Sequence, residues 1–102
     1  MNNAVILEIF DFLRTKGAVR TESEFSEDWL GQSEGYIRKL RSTRAEPSMG
    51  AIAICGSRLQ KAGEQMIALP RYRHVGERFL ELSGKCHALI NEDAVEFEFV
   101  QA

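Results

Sequence analysis

Residues 31–59 read GQSEGYIRKLRSTRAEPSMGAIAICGSRL. The stretch gathers most of the chain's clustered basic charge between a turn signal, Gly31-Gln32-Ser33, and a run of small apolar residues that begins at Met49. The frame around it is acidic. Residues 1–30 and 62–102 each sum to −3, whereas residues 31–61 sum to +4. A local excess of this kind can make a positive surface on a chain whose formal net charge is −2.

Helical periodicity decides how that charge is held. Ser33 is a good N-cap for a helix over about 33–42. Ile37 and Leu40 then lie about 60° apart, with Tyr36 on the same side. The opposite face carries Gly35, Arg38 and Ser42, flanked by Glu34 and Lys39. Pro47 is expected at the first position of the next helix, where its missing N–H costs least. Met49, Ile52, Gly56 and Leu59 form one buried stripe of that helix, with Ala53 and Cys55 beside it. A mid-helix glycine at 56 costs about 1 kcal/mol relative to alanine, a cost that close approach of a neighbouring helix would justify or that the helix simply tolerates.

Upstream, Ile6, Ile9, Phe10 and Leu13 follow the i, i+3, i+4, i+7 pattern of an amphipathic helix over residues 4–16, widened by Val5 and Phe12. Gly17 is its expected stop. Thr21 with Glu24 makes a capping-box signature for a short second helix. Phe25 and Trp29 share its face, Leu30 flanks it, and Gly31 suits the left-handed position after its end. Downstream of Gln60 the segment extends the fourth helix, adds a short helix, or forms a brief strand at Met66–Leu69. After Pro70, the residues Val75, Phe79, Leu82, Cys86, Leu89 and Ile90 describe a helix over about 73–91. The tail AVEFEFV alternates Val95, Phe97 and Phe99 with Glu96 and Glu98, which is strand periodicity. A lone strand needs a partner. This one pairs with Met66–Leu69, pairs with its copy in a second subunit, or frays into solvent, and we read it as dimerising.

Several function classes receive no support. A chain of 102 residues is one domain with one core. No apolar run approaches the roughly 18–20 residues needed to cross a bilayer. The N-terminus lacks a basic leader and is interrupted by Glu8 and Asp11, so a cytoplasmic protein is expected. Cys55 and Cys86 have no CxxC spacing, and His87 points about 100° away from Cys86 on a helix. His74 sits among Arg71, Tyr72 and Arg73. No metal, cofactor or catalytic residue is expected, and no nucleophile–base pair points to an enzyme.

Leu30-Gly31-x-Ser33, apolar Ile37 and Leu40, a basic loop, Pro47-Ser48, core positions Met49 and Ile52, and Gly56 with Leu59 follow one another without a gap. This pattern resembles the Cro/repressor-type (XRE-like, lambda-repressor-like) helix-turn-helix domain. The fragment DWLGQSEGYIRKLRSTRAEPS, residues 28–48, is also similar to small bacterial proteins of this type. The resemblance implies a mainly α fold, a four- to five-helix bundle containing a helix-turn-helix over residues 1–62. A C-terminal extension of helix and short strand follows over 63–102. It also implies double-stranded DNA as partner, with a homodimer presenting two third helices. Carried over by position, Ser33, Glu34, Gly35, Arg38 and Lys39 would face the major groove, Arg44 would hold phosphate, and Ser23 would be a further phosphate contact. Arg38 would be the best base reader, through guanine O6 and N7. Four departures stand out. Ser26-Glu27 replaces Leu-Ala, Gln32 a buried valine, Arg41 a structural glutamate and Thr43 a glycine. Arg41 is then free to pair with Glu27 or Asp28, and Arg58 is solvated. The alternative to DNA binding is a protein-interaction module, an antitoxin-like or adaptor subunit on the same scaffold.

Overall fold

In the computed structural model, which describes residues 2–93 together with Phe97, Phe99 and Val100, the chain is mainly α. Its helices are α1 (Asn2–Thr15), α2 (Glu22–Asp28), α3 (Tyr36–Thr43), α4 (Met49–Ile67) and α5 (Arg73–Asp93), and a single 3-10 turn, Pro70–Tyr72, joins the last two. No strand occurs among the described residues.

The helix ends follow from local chemistry, with four corrections to the expectations above. α1 stops at Gly17, whose φ of 79° lets the Ala18 N–H turn back to the Leu13 carbonyl at 2.9 Å. At the start of α2 the Thr21 hydroxyl accepts from the Glu24 N–H at 3.1 Å. The return half of the capping box is shifted by one residue. The Glu24 carboxylate accepts from the backbone N–H of Arg20 at 2.9 Å and also takes the Arg20 guanidinium at 3.2 Å. This draws the Glu24 carboxyl below its usual range. α2 closes as expected at Gly31, with φ of 64°.

α3 begins at Tyr36, three residues after the expected cap at Ser33. The chain makes one more turn first, with the Tyr36 N–H donating to the Ser33 carbonyl at 3.1 Å. Gly35 therefore occupies the cap position and has no side chain to fill it. At the other end Thr43 stays helical, its hydroxyl donating to the Lys39 carbonyl at 2.7 Å. Arg44 takes the left-handed conformation at φ 55° in its place, which spares the β-branched residue. α4 is capped by Ser48, whose hydroxyl accepts from the Ala51 N–H at 3.1 Å, so Pro47 lies buried one residue outside the helix rather than at its first position. The segment after Gln60 extends α4, and the strand alternative at Met66–Leu69 is excluded because Met66 and Ile67 are helical. Of the tail, residues 94–96 and 98 lie outside the described residues. Phe97, Phe99 and Val100 are 76%, 88% and 80% exposed and belong to no strand.

One core receives all five helices. Ile6, Ile9, Phe10 and Leu13 of α1, Phe25 of α2, Ile37 and Leu40 of α3, Ile52, Cys55 and Leu59 of α4, and Phe79, Leu82 and Cys86 of α5 are buried together. Phe79 joins the layers, its ring 5.4 Å from that of Phe12 and 6.1 Å from that of Trp29. α4 and α5 form an antiparallel hairpin whose axes come close because the contact residues are small. A Cβ on Gly56 would sit 2.9 Å from the Cβ of Cys86, and one on Gly76 would sit 2.9 Å from the backbone nitrogen of Ile67. The buried Ser83 hydroxyl donates to the Gly56 carbonyl at 2.7 Å, across the same contact. The expectation of close approach at Gly56 is met.

α5 is tied to α1 by charge as well as by packing. Glu8 accepts from Arg78 at 2.9 Å and from Lys85 at 3.0 Å. These partners, Lys85 first, hold its carboxyl below the usual value near 4.5.

Two predictions follow from these contacts. Gly56→Ala and Gly76→Ala should each destabilise by about 1–3 kcal/mol through overpacking. Gly84→Ala, whose Cβ would meet nothing within 4 Å, should gain about 0.5–1 kcal/mol. Urea denaturation midpoints check both signs. Because the folded-state pKa of Glu8 is depressed, its stabilising contribution is present above about pH 4.5 and is lost as pH falls through the lowered value. The stability difference between wild type and Glu8→Gln should therefore shrink on acidification over that window, as read by thermal melts at stepped pH.

Candidate nucleic-acid interface

α3 is an eight-residue helix held by two buried side chains, Ile37 and Leu40, with Arg38, Lys39 and Ser42 exposed on its outside. Its first turn is built from α2. Ser26, where an apolar residue was expected, is fully buried, and its hydroxyl donates to the Glu22 carbonyl at 2.9 Å while accepting from the Ile37 N–H at 3.3 Å. Ser26 thus supplies across the turn the cap that Gly35 cannot. The half-buried Gln32 also closes the turn, its backbone N–H donating to the Ser26 carbonyl at 2.9 Å. Tyr36 fastens the far side: its phenolic oxygen accepts from the Ser48 N–H at 2.9 Å, joining α3 to the start of α4.

The six cations of the central segment divide into two groups. Arg41 pairs with Glu22, rather than with Glu27 or Asp28. Arg58 is not merely solvated. Its guanidinium donates to the Glu27 carbonyl at 3.2 Å and to the Asp28 carbonyl, clasping the negative end of α2. Arg38, Lys39, Arg44 and Lys61 are exposed and form no ion pair among the described residues. The first three lie on α3 or directly after it. The Arg38 guanidinium lies beside Gly35, 3.5 Å from where a Cβ would stand, an ordinary contact distance.

The expected site residues fall in three places. Ser33, Gly35 and Lys39 line an open groove of about 550 Å³, with Tyr36, Thr43, Glu46 and Ser48 on its other walls. Glu34, Arg38 and Arg44 lie outside that lining, all exposed. Ser23 is half-buried in α2, between Glu22 and Glu24, and does not join the groove. The residues that the sequence reading missed are Ser26, Tyr36 and Thr43. Their signal was polarity at positions read as apolar or as a loop: a serine in place of leucine, and a phenol on the buried side of α3.

Among the described residues, no three His, Cys, Asp or Glu side chains come together in a way that could hold a metal ion. Cys55 and Cys86 are buried free thiols, and the hydrogen bond to Cys86 together with burial pushes the Cys55 thiol far above its usual value. It is a packing group. No helix among the described residues is long and apolar enough to cross a membrane.

Comparison with known families gives a match over residues 6–98 to a family model described as "Family of unknown function (DUF6626)". No curated protein and no solved structure matches the chain.

Ser26→Ala should remove the cap of α3 and leave the buried Ile37 N–H unpaired, at a cost of about 1–2 kcal/mol. Amide exchange should quicken at Ile37 and neighbouring α3 amides more than in α4. Unchanged exchange at Ile37 would rule out the capping role.

Proposed function

We propose that this chain, which belongs to the family DUF6626, is a DNA-binding transcriptional regulator that lays α3 in the major groove of double-stranded DNA. The observation that carries the reading is the trio Arg38, Lys39 and Arg44. These are exposed cations without an ion-pair partner among the described residues, on or just after a short helix whose opposite face is anchored by Ile37 and Leu40. The other two arginines of the segment are occupied within the fold. α2 and α3 with the turn at Gly31–Gly35 act as a helix-turn-helix in this reading. Arg38 reads a guanine through two parallel hydrogen bonds, Lys39 contacts a base edge or phosphate, and Arg44 holds phosphate. Ser33 and Gly35 border the contact, and Glu34 accepts from a cytosine amino group. Ser23, flanked by acids, contributes least. The protein acts in the cytoplasm as a homodimer that sets two α3 helices about 34 Å apart, one turn of the duplex.

A second reading has its own support. Glu34 and Glu46 are exposed beside the same groove without an ion-pair partner among the described residues, and carboxylates repel phosphate. On that reading the groove takes a protein segment, and the chain is an antitoxin-like or adaptor subunit that does not read DNA.

Fluorescence anisotropy against genomic fragments separates the two. For a DNA binder, log K falls with log salt by about 0.9 per phosphate neutralised. Arg38→Ala should cost about 1–3 kcal/mol and relax preference at one base, whereas Arg44→Ala should weaken all sequences alike and lower the salt slope by about 1. Absence of salt-dependent binding at low ionic strength would leave the adaptor reading.

A further inference from the structure

The tip of the α4–α5 hairpin carries apolar surface that the fold itself does not use. Leu69 and Tyr72 are 52% and 45% exposed, and with Met66 and Gln65 they line a mostly apolar groove of about 260 Å³. A cavity of about 150 Å³ suffices for a benzene ring. Arg71 and Arg73 flank the groove in sequence, both exposed and without a carboxylate partner among the described residues, and the Arg71 guanidinium stands 5.5 Å from the Tyr72 ring centre. His74 next to them faces Glu77 at 3.5 Å. The tail has the complementary chemistry. Phe97, Phe99 and Val100 are exposed, and Glu96 and Glu98 alternate with the aromatics.

We propose that the tail of one copy docks on the hairpin tip of a second copy, with Phe97 or Phe99 in the groove of Met66, Leu69 and Tyr72, and Glu96 and Glu98 against Arg71 and Arg73. A chain cannot fill its own groove in this way. The tip lies at the beginning of α5 and the tail follows its end, 21 residues and about 31 Å away along the helix. From Asp93 the backbone reaches at most about 14 Å to Phe97 and about 21 Å to Phe99. Two copies with their α5 helices antiparallel bring each tail to the other's tip. That arrangement is two-fold and closes on itself. The inference rests on the dimeric part of the proposed function and is independent of DNA.

Sedimentation equilibrium of the full chain in DNA-free buffer tests it. The wild type should approach twice 11.5 kDa. Phe97→Ser/Phe99→Ser and Arg71→Glu/Arg73→Glu should each weaken the dimer by at least about tenfold, since these are exposed anchors rather than core residues. Adding Glu96→Arg/Glu98→Arg to the Arg71→Glu/Arg73→Glu chain should restore the dimer, which a merely misfolded variant would not do. A monomeric wild type, a dimer indifferent to both double variants, or charge reversal without recovery would each overturn the docking. A dimer that behaves as expected but binds no DNA in the anisotropy titration would remove the DNA reading alone.

Discussion

The close approach of α4 and α5 is the constraint on which the rest of the molecule is arranged. Gly56 and Gly76 let the two backbones meet at distances that a methyl group would block, and Ser83 seals the contact with a hydrogen bond to a helix carbonyl. Gly56 is a buried residue in the middle of α4, so this bond joins the two helices inside the core. Closing the hairpin sets the position of Phe79, and Phe79 in turn meets Phe12 of α1 and Trp29 after α2. A wider hairpin would separate those rings and open the core. Small residues in a helix interior cost propensity, and packing of aromatic surface more than offsets it.

On this platform α2 and α3 are held by polar contacts that each join two elements. Ser26 caps α3 from α2, Arg58 of α4 clasps the carbonyl end of α2, and Tyr36 ties α3 to the cap of α4. Each satisfies a backbone group left over at a helix end, where four N–H or four carbonyl groups lack intrahelical partners. A short helix such as α3 has few hydrogen bonds of its own, so these attachments fix its orientation. Among the described residues, Arg38, Lys39 and Arg44 on the outside of α3 and just after it form no ion pair, while Arg41 and Arg58 hold the fold together.

Much of this was legible in the chain. The helical stripes at Ile6–Leu13, Ile37–Leu40, Met49–Leu59 and Val75–Ile90 were readable because burial repeats with the period of the helix. Gly17 and Gly31 were readable because few other residues adopt a positive φ. The exposed face of α3 that carries the candidate site was also legible, since Arg38 and Lys39 follow from Ile37 and Leu40 by rotation alone. The starts of α3 and α4 were not. Ser33 and Pro47 are sound local signals, but Ser26, eleven residues before Ile37, caps α3, and Ser48 rather than Pro47 opens α4.

The sequence by itself determined the helices, their buried faces and the basic segment, because these depend on residue type and spacing within one or two turns. Only the tertiary structure decided which cations are free. Arg38 and Arg58 are alike in sequence, each an arginine beside apolar helical residues. They differ because the carbonyls of Glu27 and Asp28, some thirty residues away in the chain, come within reach of Arg58 in the folded molecule. An unpaired backbone carbonyl draws the nearest donor, and which donor is nearest is a property of the fold.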